Sequence, residues 1–105
     1  MAQWSLNGLK FYGGGNLSTN ATASRSYTLE NSTRFLLITE GYAAHRGAYI
    51  ANCDSEGTVG VTTITSASGL TLNSSTANTL TITVNTTTYA FIYFFIFSGE
   101  VSVAE

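Results

Sequence analysis

The chain reads as an all-β protein, an antiparallel β-sandwich or jelly-roll-like barrel of seven to eight short strands. Three observations predict it. Apolar and β-branched residues recur at alternate positions over short runs. Clusters of Gly, Ser, Asn and Asp separate those runs about every eight to twelve residues. No proline and no stretch of helical periodicity interrupts the series. The 105 residues suit one domain with a modest core, divided here into an N-terminal arm or linker over 1–25 and a β-sandwich head over 26–105.

In the arm, Trp4, Leu6 and Leu9 supply apolar anchors and Lys10 to Tyr12 a brief strand. Trp4 is read as an anchor in preference to a stacking platform. Gly13-Gly14-Gly15 lacks the lysine and hydroxyl of a phosphate-binding loop, which leaves a flexible hinge. Strands are expected at Tyr27 to Leu29, Arg34 to Glu40, Gly47 to Asn52 and Thr58 to Thr65, with a turn at Asp54 to Gly57. The apolar parity of Thr58 to Thr65 switches between Val61 and Ile64, so a bulge is expected near Thr62. Leu70 to Asn73 follows. Thr79 to Asn85 is the cleanest alternation, with Leu80, Ile82 and Val84 on the inward face. Thr86 to Thr88 turns into the last long strand, and Val101 and Val103 close the series.

That last long strand, Tyr89 to Phe97, has no polar face. Tyr89, Phe91, Tyr93, Phe95 and Phe97 share one side, and Ala90, Ile92, Phe94 and Ile96 the other. Nine residues are too few to cross a bilayer as a helix, so no membrane insertion is expected. One face belongs in the core, and the other needs the arm, a sheet edge or copies of the chain. We assign Tyr89, Phe91, Tyr93, Phe95 and Phe97 to an oligomer interface, since no helix is at hand to cover them.

Charged residues make up only 10% of the chain, and the net charge is -2. Lys10, Arg25, Arg34 and Arg46 are dispersed, which argues against nucleic acid. The lone Cys53 excludes a disulfide framework and a thiolate metal centre, and reads as a small buried residue. One histidine and no carboxylate pair at ligand spacing give no metal site, no cofactor and no catalytic set. Five Asn-x-Ser/Thr sequons, beginning at Asn16, Asn20, Asn31, Asn73 and Asn85, follow from the Asn/Thr-rich composition. No signal peptide is seen in Met-Ala-Gln-Trp-Ser-Leu-Asn-Gly.

Polar chemistry concentrates between Gly41 and Gly57. Saccharide sites set an aromatic ring against a sugar face and place charged or amide groups on its hydroxyls. Tyr42, His45, Arg46, Tyr49, Asp54 and Glu56 are the candidate ligand-binding residues on that ground, with Asn52 beside them.

The segments Tyr-Thr-Leu-Glu-Asn-Ser-Thr-Arg-Phe-Leu-Leu-Ile (27–38), Gly-Ala-Tyr-Ile-Ala (47–51), Asn-Thr-Leu-Thr-Ile-Thr-Val (78–84) and Ala-Phe-Ile-Tyr-Phe-Phe-Ile-Phe-Ser-Gly (90–99) resemble C-terminal domains of phage and prophage tail-fibre or receptor-binding proteins. The resemblance implies a trimeric β head that binds a bacterial surface glycan without cleaving it, on a virion or outside the cell after release. It supplies no residue-level motif. A structural virion or fibre-tip protein without a sugar ligand, and a carbohydrate-binding module of a larger enzyme, are the alternatives.

Overall fold

The computed structural model describes residues 3–6, 9–20, 22–85 and 89–104, and for 3–6 the backbone alone. The Thr86 to Thr88 turn and the side chain of Trp4 therefore lie outside the described residues. Ten strands run in chain order: β1 (Gln3–Leu6), β2 (Leu9–Leu17), β3 (Ser24–Leu29), β4 (Thr33–Gly41), β5 (Gly47–Cys53), β6 (Val59–Thr65), β7 (Leu70–Asn73), β8 (Thr79–Val84), β9 (Ala90–Ser98) and β10 (Val101–Val103). A 3-10 turn, Ala43–His45, sits between β4 and β5. The strands form two antiparallel sheets, one ordered β1-β2-β9-β4-β5-β6 and the other β10-β3-β8-β7. This is the expected β-sandwich, with more strands than the seven or eight anticipated. No helix among the described residues is long and apolar enough to cross a membrane.

The aromatic strand β9 lies inside the larger sheet, hydrogen-bonded to β2 on one side and β4 on the other. Its even-numbered residues, Ala90, Ile92, Phe94 and Ile96, are buried between the sheets. The Phe94 ring packs edge-on against Tyr27 at 4.8 Å and Phe35 at 5.1 Å, with Tyr12 at 6.0 Å. The facing sheet meets it with Tyr27 and Leu29 of β3 and with Leu80, Ile82 and Val84 of β8. Thr79, Thr81 and Thr83 alternate with the last three on the partly exposed side. Cys53 is buried at the end of β5, where Asn78 Nδ2 reaches its Sγ at 3.4 Å, and burial pushes its thiol pKa up.

The segment read as an arm contributes β1 and β2 to the larger sheet. The triple glycine is a packed bulge, not a hinge. The β2–β9 register shifts between Gly13 and Gly15, and Gly15 takes a φ of 90°. A Cβ on Gly14 would lie 2.7 Å from Ile92 Cγ2 and 2.9 Å from the Tyr27 hydroxyl. Its carbonyl accepts hydrogen bonds from Tyr27 Oη at 2.6 Å and Arg25 Nη1 at 2.9 Å. The bulge thereby ties the two sheets together at one end. At the other end Lys10 donates to the Gly99 carbonyl and pairs with Glu100. The irregularity expected near Thr62 lies two residues further on. Tyr49 pairs with Thr63 and Ala48 with Thr65, so that Ile64 is the extra residue.

Two measurements check this packing. Gly14→Val is expected to destabilise the fold by about 2–3 kcal/mol in denaturant titration, because the added atoms meet Ile92 and Tyr27 in a closed core. Tyr27→Phe is expected to cost about 1–2 kcal/mol through the lost hydrogen bond to Gly14. Burial also pushes the Tyr27 phenol up to about 12 from an ordinary 10.0. The unfolded chain therefore releases that proton first, and this contribution to stability is complete below about pH 10 and declines as pH rises toward 12. Tyr27→Phe should remove that part of the alkaline decline.

Candidate functional site

The six proposed ligand residues fall into three places. Tyr42 and Arg46 flank the 3-10 turn at one end of the larger sheet, with Tyr42 64% exposed. Asp54 and Glu56 lie at the far end of β5, a strand length of roughly 20 Å away. His45 and Tyr49 are buried. The candidates therefore do not form one site.

Each displaced residue has a structural task. The Tyr49 hydroxyl accepts the Ala67 backbone N–H at 2.9 Å, which pins the β6–β7 connection to the core. Asp54 Oδ1 accepts the backbone N–H groups of Glu56 at 2.8 Å and Thr58 at 2.9 Å, closing the turn before β6. Hydrogen bonds from the Thr58 and then the Glu56 backbone hold the Asp54 carboxyl below the usual carboxylate range. His45 hydrogen-bonds the Tyr89 carbonyl through Nδ1. A carbonyl only accepts, so Nδ1 carries the proton and His45 is a strut between the 3-10 turn and the start of β9.

What the fold does gather around Tyr42 is a cleft of about 450 Å³ lined by Gly41, Tyr42, Ala43, Arg46, Tyr89 and Phe91. Tyr89 is 61% exposed, and its ring stacks on Phe91 with centroids 6.4 Å apart. Arg46 Nε lies 3.7 Å from Glu40 Oε1, a half-exposed pair that adds little stability and leaves the guanidinium open to solvent. The cleft walls are fixed from behind. Gly41 has a φ of 129°, and a Cβ there would run into the Tyr89 carbonyl. The Gly69 N–H donates to the Ala44 carbonyl at 2.7 Å, holding the turn from the β6–β7 side. Two exposed tyrosines, a cation and an acid around a rigid hollow suit a pyranose ring with its hydroxyls.

Sequence reasoning found Tyr42 and Arg46 for this cleft, placed Tyr89 and Phe91 in an interface instead, and passed over Glu40. The signal available for Glu40 was its parity. It shares the outward face of β4 with Leu36 and Ile38, opposite Phe91. Among the described residues no group of three or more His, Cys, Asp or Glu side chains is placed to hold a metal ion.

The five residues assigned to an interface behave as a set. Tyr89, Phe91, Tyr93, Phe95 and Phe97 all lie away from the core, partly or largely exposed. Cross-strand registers place Phe11, Phe95, Leu36 and Ile50 in one outward row, then Gly13, Tyr93, Ile38 and Ala48, then Asn16, Phe91 and Glu40. Phe11 packs on Phe95 at 5.4 Å and Tyr93 at 6.0 Å, so neighbouring rings shield one another only in part. The outer face is thus apolar through its middle rows, closes on Phe97, Arg34 and Asn52 at one end, and mixes aromatic and polar residues at the end that holds the cleft.

Tyr49→Ala is expected to lower stability by about 3–5 kcal/mol, because it empties core volume and strips the Ala67 N–H of its acceptor. Arg46→Ala is expected to stay within about 0.5 kcal/mol of the parent, since its one ion pair is exposed. Urea titration of the two variants checks the distinction between a core and a surface residue. No protein family, curated protein or solved structure was found to match this chain.

Proposed function

We propose that the chain is a non-enzymatic recognition head, assembled as a homo-trimer and binding a bacterial surface saccharide, of the kind carried by phage or prophage tail structures. The observation that supports it best is the outer face of the larger sheet, which carries an apolar row and a separate aromatic cleft. Phe11, Phe95, Leu36 and Ile50 form an apolar row that a second copy can cover, and Phe97 extends it. The opposite end keeps Tyr42, Tyr89 and Arg46 open to a ligand. Assembly through the apolar row and recognition at the Tyr42 cleft fit a head presented on a multimeric fibre. The three-fold count comes from the resemblance to tail-fibre heads. His45 is buried and engaged by a backbone carbonyl, which suits a strut better than a general base.

Light scattering should give a mass near three times 11.1 kDa. Ile50→Asp with Phe97→Asp should lower it to that of one chain without unfolding the domain, because both residues are exposed in the single chain and buried in the proposed contact. On an array of bacterial glycans, Tyr42→Ala and Arg46→Ala should reduce binding at least tenfold at unchanged mass. A wild-type monomer at all concentrations would overturn the assembly. A trimer that binds no glycan would instead favour a structural fibre-tip protein.

A further inference from the structure

A second hollow opens on the far side of Phe91 and has a different chemistry. It is a cleft of about 580 Å³, lined by Phe11, Gly13, Gly15, Asn16, Arg25, Phe91, Ile92 and Tyr93. Its shape comes from the glycine bulge. On the outward face of β2, Gly13 stands opposite Tyr93 with Phe11 on one side and Asn16 on the other. The missing side chain leaves the Tyr93 and Phe91 rings uncovered between those two neighbours.

The cation at this hollow comes from the other sheet. Arg25 belongs to β3, and its Nη1 reaches the bulge to donate to the Gly14 carbonyl at 2.9 Å. That bond, with a side-chain hydrogen bond to Tyr27, anchors the guanidinium at the bulge and leaves some of its five N–H groups for a ligand. Among the described residues no carboxylate lies within ion-pair distance of Arg25, whereas Lys10 has Glu100 and Arg46 has Glu40. Arg25 is only partly exposed, so its charge is less screened than that of a free surface arginine. The exposed Asn16 amide stands at the same rim.

We propose that this hollow is a subsite for a carboxylate-bearing sugar. The ring would lie against Phe91 and Tyr93, its carboxylate on the Arg25 guanidinium and a hydroxyl on Asn16. Because Phe91 also lines the cleft of Tyr42 and Arg46, the two hollows are neighbouring subsites for one glycan chain. Two of the four cations of a chain with net charge -2 border them, with Glu40 as the nearby acid. This inference rests on the saccharide reading above and narrows it to acidic glycans.

The test is an NMR titration of the full chain with glucuronate, galacturonate and N-acetylneuraminate, each compared with glucose, galactose and N-acetylglucosamine. Acidic sugars are expected to bind about tenfold tighter than the neutral ones, to shift the Arg25 Nε–H and Tyr93 ring signals, and to lose that advantage in high salt. Arg25→Gln should erase the preference while leaving neutral sugars bound at Tyr42. Gly13→Leu, at a backbone position without positive φ, fills the hollow and should abolish the Tyr93 shifts with Arg25 intact. Equal binding of acidic and neutral sugars, or a preference that survives both substitutions, would overturn the subsite and leave the saccharide reading standing. Binding of no sugar of either class would overturn both.

Discussion

Everything in this molecule is arranged around a strand without a polar side. β9 sits between β2 and β4, and Phe94 on its inner face is the ring on which Tyr12, Tyr27 and Phe35 converge. The Tyr27 contact joins the two sheets, while Tyr12 and Phe35 flank Phe94 within its own sheet, and the smaller sheet covers one face of β9 only. The other face must therefore pack on its strand neighbours, on water, or on another molecule. Phe11 and the stacked rings along β9 meet part of that need. The remaining apolar area follows from having a core strand with two hydrophobic faces in a domain of four and six strands.

The same economy recurs at the two hollows. Each depends on a glycine that removes a side chain or permits a backbone path, and on a buried polar group that fixes the walls. At the bulge, the Gly14 carbonyl takes hydrogen bonds from Tyr27 and Arg25, so one core residue and one rim residue share a single anchor. At the 3-10 turn, His45 holds the Tyr89 carbonyl while Gly41 lets the chain pass beside it. Preformed walls of this kind would reduce the ordering that the proposed ligand must impose. The apolar row lies away from the Tyr42 cleft, and of its residues Phe11 also borders the second hollow, so the proposed assembly and recognition surfaces meet there.

Much of the fold was legible because alternation survives in single residues. The buried Leu80, Ile82 and Val84 of β8 and the parity of β9 follow directly from period-two patterning, whereas Tyr49 of β5, expected at a ligand, shares the inward parity of Ala51 and Cys53. The triple glycine was misread because glycines carry no periodic signal. Only the packing of Ile92 and Tyr27, far along the chain, shows that Gly14 is inside a strand. His45 failed as a ligand for a related reason. Its partner Tyr89 is 44 residues away, and burial made by distant segments leaves no trace beside the histidine itself. Asp54 and Glu56 were grouped with Tyr42 by sequence distance, although a strand lies between them and carries its two ends apart. Tyr42 and Arg46 were recoverable because both flank one short turn.

The proposed division of the outer face into an assembling apolar row and a recognising cleft is the central claim, and hydroxyl-radical footprinting over a dilution series tests it most directly. Phe95, Phe97, Leu36 and Ile50 should be protected at concentrations where the chain is assembled and should become reactive as it is diluted to single chains. Tyr42 and Tyr89 should react at the same rate throughout. Uniform labelling of Phe95 and Phe97 at every concentration, or protection that falls on Tyr42 and Tyr89 instead, would contradict the account.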